Sequence, residues 1–386
     1  MPNTSLESRL KAQARYLGFD LVGVATPDPS GHLEHYRAWI GAGLQGEMAY
    51  LARADAVERR GELRHTLQGV RSVVVVGHGY GQDDPPGVPD DPSRGVIARY
   101  ARGRDYHRVV KEKLLKLAAW LEAEAPGGAH RAYVDTGPIL ERELGQRAGL
   151  GWFGRNTMLI NPGRGSYFFL GVLLTTVALD PDPPFEADRC GSCTACLDAC
   201  PTGALLGRNE QGAPVLDARL CISYLTIEHR GEIPEGLRAP MGNRVYGCDI
   251  CQECCPWTVK FGPEQAVRPE YEARAWPADQ DGDPPLPSLD GPNLVAFTER
   301  IIAMSGKEYR RVFAESPLAR PGRKGMLRNL CVALGNYGRT SAEAAERVRP
   351  VLERAADDGS ELVSAPARWG LGRIRSAPPR SPRPST

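Results

Sequence analysis

Nine of the chain's ten cysteines fall between Cys190 and Cys255, and no other feature limits the fold as strongly. The spacing Cys190-x2-Cys193-x2-Cys196-x3-Cys200-Pro201 is of the ferredoxin type, in which three thiolates hold one cubane and the fourth, before proline, serves another. A zinc site needs four cysteines and would leave five unexplained, so paired iron–sulfur clusters are the stronger reading. The second group, Cys248-x2-Cys251-x2-Cys254-Cys255-Pro256, is less regular. Two cubanes need eight ligands and nine thiols are present. Cys255 stands to Cys251 as Cys200 stands to Cys196, three residues on and followed by proline. The first cluster is therefore expected on Cys190, Cys193, Cys196 and Cys255, and the second on Cys200, Cys221, Cys248 and Cys251, with Cys254 spare. Cys331 lies on the apolar face of a C-terminal helix and reads as a buried thiol.

The cysteines are set among Gly, Pro and Asp with little apolar periodicity, so bound metal has to organise residues 186–262. The N-terminus has no basic region followed by an apolar one, and no apolar run approaches the roughly 20 residues of a membrane span. A cytoplasmic protein with metal-bound thiols, not disulfides, is expected. With 386 residues, two or three domains are expected. No Gly-x-Gly-x-x-Gly follows a strand and no Walker loop is present, so neither dinucleotide binding nor phosphoryl transfer is supported.

Thr4 and Glu7 can form a capping box before a helix marked by Leu6, Leu10, Ala14 and Leu17. Ser72 to Gly77, Ala132 to Asp135 and Tyr167 to Leu179 read as strands. Val110, Leu114, Leu117 and Leu121, then Leu140, Leu144 and Ala148, recur at helical spacing. Residues 1–185 are thus expected to form an α/β or α+β domain, 186–262 a cluster domain, 263–290 a linker and 291–375 a helical domain, with a disordered tail at 376–386. The C-terminal helices are expected over Leu294–Met304, Lys307–Phe313, Met326–Leu334, Ala342–Leu352 and Ser360–Leu371. Gly335 and Gly370 stand in similar segments that read as the stops of two helices, a hint of stacked repeats.

Two cubanes in series pass single electrons, and the first domain is where they would end. Ala132-Tyr133-Val134-Asp135-Thr136-Gly137-Pro138, Glu141-Arg142-Glu143, Gly149-Leu150-Gly151-Trp152-Phe153-Gly154-Arg155-Asn156-Thr157 and Cys221-Ile222-Ser223-Tyr224-Leu225-Thr226 closely resemble the epoxyqueuosine reductases. These cobalamin-dependent enzymes perform the last step of queuosine synthesis on tRNA. The resemblance runs from about Leu6 to Ile374. It implies an α+β chain with a nitroreductase-like cobalamin core, a ferredoxin-like insert with two 4Fe-4S clusters, and HEAT-like helical repeats that help to hold the tRNA anticodon region. It also implies a monomer fed by a reductant such as a flavodoxin or ferredoxin.

By the same resemblance Asp135 is the acid that protonates the departing epoxide oxygen, its pKa raised by burial against the corrin. Arg60, Arg99, Gly154, Asn156, Thr157, Ser166, Phe169, Ser223 and Gln252 are the implied corrinoid contacts, along with Asp135 itself. Asp105-Tyr106-His107 begins like an Asp-x-His-x-x-Gly corrinoid motif, but Val110 stands where Gly is required. His107 is therefore read as part of a helix start and not as a cobalt ligand.

The net charge of +1 is a cancellation: residues 1–299 carry −8 and the remainder +9 by count along the sequence. Lys307, Arg310, Arg311, Arg320, Arg323, Lys324 and Arg328, beside Tyr309 and Asn329, form a run suited to tRNA phosphates, with base recognition left to an extruded nucleotide. Two rival readings are a corrinoid reductive dehalogenase and a non-catalytic two-cluster electron carrier. Both leave the basic end without a role.

Overall fold

A computed structural model describes residues 5–88, 90–262, 267–275 and 287–375. The chain divides into two compact units: Met1–Gln82 with Asp105–Ala218 and Ile250–Glu270, and Asp83–Arg104 with Arg219–Asp249 and Tyr271–Thr386. Cys190 to Cys200 and Cys251 to Cys255 belong to the first unit, and Cys221 and Cys248 to the second. A segment without apolar periodicity has no core of its own and is built onto larger neighbours. Thr4, most of the expected linker and the tail lie outside the described residues.

The first unit is built on an antiparallel sheet with strand order Leu21–Ala25, Ser72–Gly79, Phe168–Thr175, His130–Tyr133. Ser72–Gly79 is buried along its whole length and pairs with Phe168–Thr175 from Ser72 opposite Thr175 to Gly79 opposite Phe168. Both faces of this strand are covered, which is why Val73 to Val76 is an unbroken apolar run. One face carries Val73, Val75, Val172 and Leu174 against Leu144 and Leu150. On the other, the helix Tyr106–Glu124 comes close because residue 171 is glycine: a Cβ there would lie 2.9 Å from both Leu114 and Val110. Ser5 caps the opening helix by accepting the Ser8 N–H at 3.3 Å, while Glu7 accepts from the Asp180 N–H at 3.0 Å.

The second unit is helical around one apolar core. Its helices are Leu294–Ala303, Gly306–Val312, Gly322–Gly338, Ala342–Ala356 and Glu361–Arg375. Gly322–Gly338 is central, with every residue from Gly325 to Gly335 buried, so that stretch turns no side to solvent. Gly335 and Gly370 do not stop helices, contrary to the sequence expectation. Both lie inside helices that pack face to face, and a Cβ on Gly335 would lie 2.8 Å from the Gly370 Cα. Contact at that distance outweighs the poor helix propensity of glycine. Cys331 is fully buried, as expected, and burial pushes its thiol up to about 12. No described helix is long and apolar enough to cross a membrane.

Candidate active site

The strand His130–Tyr133 leads into a tight turn at whose apex Asp135 adopts φ 57°. The left-handed conformation is uncommon for a non-glycine residue and needs outside support. Part of that support is Glu141, whose Oε1 accepts the Asp135 N–H at 2.7 Å. The Asp135 carboxylate keeps 62 % of its side chain accessible. Its Oδ2 accepts from the Tyr106 hydroxyl at 2.8 Å and lies 3.2 Å from Nε2 of His107. Asp105 caps the helix by accepting the His107 N–H at 3.0 Å, as the sequence predicts, and the same carboxylate stands 2.7 Å from Nδ1 of His107. The Tyr106 ring stacks on His107 at 4.0 Å and on Phe169 at 4.2 Å.

The charges follow from this geometry. Desolvation disfavours the His107 cation, yet the hydrogen bonds and charges of Asp105 and Asp135 overcome it and push the imidazole up to about 9. Desolvation likewise opposes the Asp135 anion, but the hydrogen bonds of His107 and Tyr106 prevail and lower its pKa. The raised carboxyl is Glu141, pushed up to about 8 by burial and by the neighbouring Asp135 charge. Protons near neutral pH thus reside on His107 and Glu141, on either side of Asp135. Sequence reasoning gave these two residues no catalytic role, although both lie in segments that it singled out.

A second turn, between Trp152–Phe153 and Leu159–Ile160, holds other expected residues. Thr157 has φ 63°, and its carbonyl accepts from Arg142. Asn156 donates through Nδ2 to the Cys251 carbonyl at 3.0 Å and accepts the Met158 N–H at 3.2 Å. Gly154 has a packing reason of its own, because a Cβ would lie 2.4 Å from the Ile160 side chain. The Ser166 hydroxyl donates to Oε1 of Gln252 at 2.9 Å. Asn156, Ser166 and Gln252 thus join this turn to the segment carrying Cys251 and Cys255. Arg60 is buried, donates to the Ala56 carbonyl at 3.1 Å and lies 5.2 Å from the Tyr36 ring centroid.

Arg99 and Ser223 belong to the second unit. The Arg99 guanidinium pairs with Asp84 and, at 3.4 Å, with Asp249, whose carboxylate also accepts the Arg99 N–H at 2.7 Å. It braces the residue after Cys248. Ser223 is half-buried in the helix Ile222–Ile227, which starts from Cys221. That helix is tied to Gly247, next to Cys248, because the Thr226 hydroxyl accepts the Gly247 N–H at 2.9 Å.

In the first unit Cys190, Cys193, Cys196 and Cys255 line one cavity with Ile160 and Trp257, and Cys254 is not in its wall. The indole N–H of Trp152 points at the Cys190 sulfur at 3.5 Å. Burial and the neighbouring Cys254, Cys190 and Cys255 push Cys196 up to about 11, so a bound cation is needed to keep its sulfur as a thiolate. Four cysteines share the wall of this one cavity, the number of thiolates that a cubane takes. Among the described residues no group of three or more His, Cys, Asp or Glu forms a single-ion site. Such a donor set suits a cubane.

The basic run is divided by burial. Arg310, Arg311, Arg320 and Lys324 are exposed, Arg320 being paired with Glu228 at 3.0 Å. Arg323 donates to the Ile301 and Ile302 carbonyls at 3.1 and 2.8 Å. Arg328 is a correction: it is 1 % exposed and donates to the carbonyls of His229 and Gly231, both at 2.7 Å, and of Leu225 at 2.6 Å. It cannot meet a phosphate. Tyr309 and Asn329 are fully buried as well, and the Asn329 amide donates to the Thr226 and Val245 carbonyls.

A cavity lined by four thiols is the mark of an iron–sulfur protein, and residues 189–258 match the family model "4Fe-4S double cluster binding domain". Residues 60–136 match the model "Epoxyqueuosine reductase QueG, DUF1730". The epoxyqueuosine reductase of Xanthomonas campestris pv. campestris is 38 % identical over 96 % of both chains. That of Pseudomonas aeruginosa is 38 % identical over 95 % of this chain and 94 % of its own. A crystal structure of epoxyqueuosine reductase with an epoxyqueuosine-modified tRNA-Tyr stem loop superposes with a TM-score of 0.80 at 30 % identity, over 96 % of this chain and 90 % of that one. The chain belongs to the epoxyqueuosine reductase family.

Proposed function

We propose that this chain reduces epoxyqueuosine to queuosine in the anticodon loop of tRNA, with cobalamin beside Asp135 and electrons relayed by two 4Fe-4S clusters. The observation that carries this reading is the accessible Asp135 carboxylate, backed by the raised His107 and lying in the same unit as the four-thiol cavity. The first cubane is assigned to Cys190, Cys193, Cys196 and Cys255. The second is assigned by spacing to Cys200, Cys221, Cys248 and Cys251.

Removing an epoxide oxygen as water consumes two electrons and two protons. Bound cobalamin, once reduced, supplies a nucleophilic cobalt, and the cubanes supply its electrons singly. A corrin is a flat ring edged with amides. The Gly154–Thr157 turn, Ser166 and Gln252 offer it donors and acceptors, and the stacked Tyr106 and Phe169 rings stand behind Asp135. His107 passes a proton through Nε2 to Oδ2 of Asp135, which hands it on to the departing oxygen, while Asp105 fixes Nδ1. Tyr106 keeps the same carboxylate oriented.

The exposed cations Arg310, Arg311 and Lys324 offer phosphate contacts, with Arg320 and Arg323 at the margin of that surface. The paired helices Gly322–Gly338, Ala342–Ala356 and Glu361–Arg375 support a HEAT-like description, and the four-stranded sheet with helices on it supports a nitroreductase-like core. A monomer working in the cytoplasm with a flavodoxin or ferredoxin as donor completes the proposal. Asp135→Asn tests it: the variant is expected to bind cobalamin and tRNA with wild-type affinity and to lose turnover by roughly 100-fold or more, as for a removed general acid. Full activity would take Asp135 out of the mechanism.

A further inference from the structure

Among the described residues two that are not glycine adopt positive φ, Asp135 and Thr157, and consecutive residues at the start of one helix hold both. Glu141 accepts the Asp135 N–H and Arg142 donates to the Thr157 carbonyl. A left-handed non-glycine residue is sterically unfavourable, so it persists only where its surroundings fix the backbone. The Thr157 turn has brackets of its own, Thr157 N–H to the Gly154 carbonyl at 2.9 Å and Gly154 N–H to the Met158 carbonyl at 2.8 Å. The Asp135 turn is narrower, closed by Thr136 N–H on the Val134 carbonyl at 2.6 Å, a bond that leaves the Asp135 amide to Glu141.

We propose that Glu141 is the positioning residue of the proton donor: by accepting the Asp135 amide it locks the left-handed turn that aims the carboxylate at Tyr106 and His107. The inference rests on the reading of Asp135 as the acid. Arg142 extends the same device to the Thr157 turn, whose Asn156 grips the Cys251 carbonyl. Acid and cluster segment are thereby indexed from one short helix, Glu141–Arg147. That helix is itself seated by Leu144 in the sheet core and by Arg147, which donates to the Thr26 and Asp28 carbonyls at 2.7 and 2.9 Å.

The test compares Glu141→Gln with Glu141→Ala in chains reconstituted with iron, sulfide and cobalamin. Glutamine keeps an acceptor oxygen and alanine does not. In Glu141→Ala, hydrogen exchange at the Asp135 amide should quicken at least about tenfold. Its kcat on epoxyqueuosine tRNA should fall by about 100-fold with KM within about twofold, as expected of a displaced catalytic group. Glu141→Gln should keep the protected amide and a kcat within about fivefold of wild type. Unchanged exchange in Glu141→Ala would overturn the proposal. So would a Glu141→Gln enzyme as slow as Glu141→Ala while its amide stays protected, because Glu141 would then act through its charge or proton. A wild-type chain that never reduces epoxyqueuosine tRNA, with exchange still quickened in Glu141→Ala, would defeat the functional reading and leave the positioning role standing.

Discussion

Nε2 of His107 and Oδ2 of Asp135 lie 3.2 Å apart, with Asp105 on the other imidazole nitrogen, so one cation is shared between two carboxylates. Its pKa, raised to about 9 from an ordinary 6.5, links this contact to stability. A raised histidine stabilises the fold fully below the unfolded pKa, and the contribution is lost as pH climbs through the folded one. Wild type should therefore lose thermal stability relative to His107→Gln between about pH 6.5 and 9.5. Parallel melting curves across that range would refute the ion pair.

The cavity walls separate two adjacent thiols. Cys255→Ser should remove one cubane, about four of eight irons, whereas Cys254→Ser should keep all of them. Iron and sulfide analysis after anaerobic reconstitution reads the difference, and a reversed result would overturn the ligand assignment.

Arg328 and its exposed neighbours should part company experimentally. Arg328→Ala strands three buried carbonyls and is expected to destabilise by roughly 3 kcal/mol, with tRNA affinity of the folded fraction unchanged. Arg310→Ala, Arg311→Ala and Lys324→Ala should leave the melting temperature in place. Each should lower the slope of log affinity against log salt by a little under about 1 if its phosphate contact exists. Salt titrations of tRNA binding decide the matter.

The two helix glycines with different surroundings give opposite expectations. Gly335→Ala places a methyl 2.8 Å from the Gly370 Cα and 2.9 Å from the Trp369 ring, an overpacking that should cost about 1–3 kcal/mol. Gly372 meets nothing within 4 Å, so Gly372→Ala should be neutral or stabilising by up to about 1 kcal/mol. Denaturant unfolding of both variants checks the pair.

Local features were legible in the sequence. Cysteine spacing, the Val73 to Val76 strand and the Asp105 helix start each depend on residues close along the chain. What escaped depends on contacts between distant segments. Arg328 resembles its neighbours in charge, and only folding brings it to carbonyls about a hundred positions earlier. Gly335 looked like a stop because intrinsic propensity is all that a sequence offers, whereas the approach of a second helix decides its place. Asp135 meets His107 from an element 28 positions away, so the sign of its pKa shift could not be read from the turn itself.

The wall of the four-thiol cavity also sets an order of events during synthesis. Cys190, Cys193 and Cys196 leave the ribosome together, but Cys255 follows only after the intervening segment, most of which belongs to the other unit. A nascent chain therefore carries an incomplete, oxidation-prone trio of thiols until translation has passed Cys255. On the proposed ligand assignment the first cubane becomes complete once Cys255 has emerged, before the helical C-terminal segment is made.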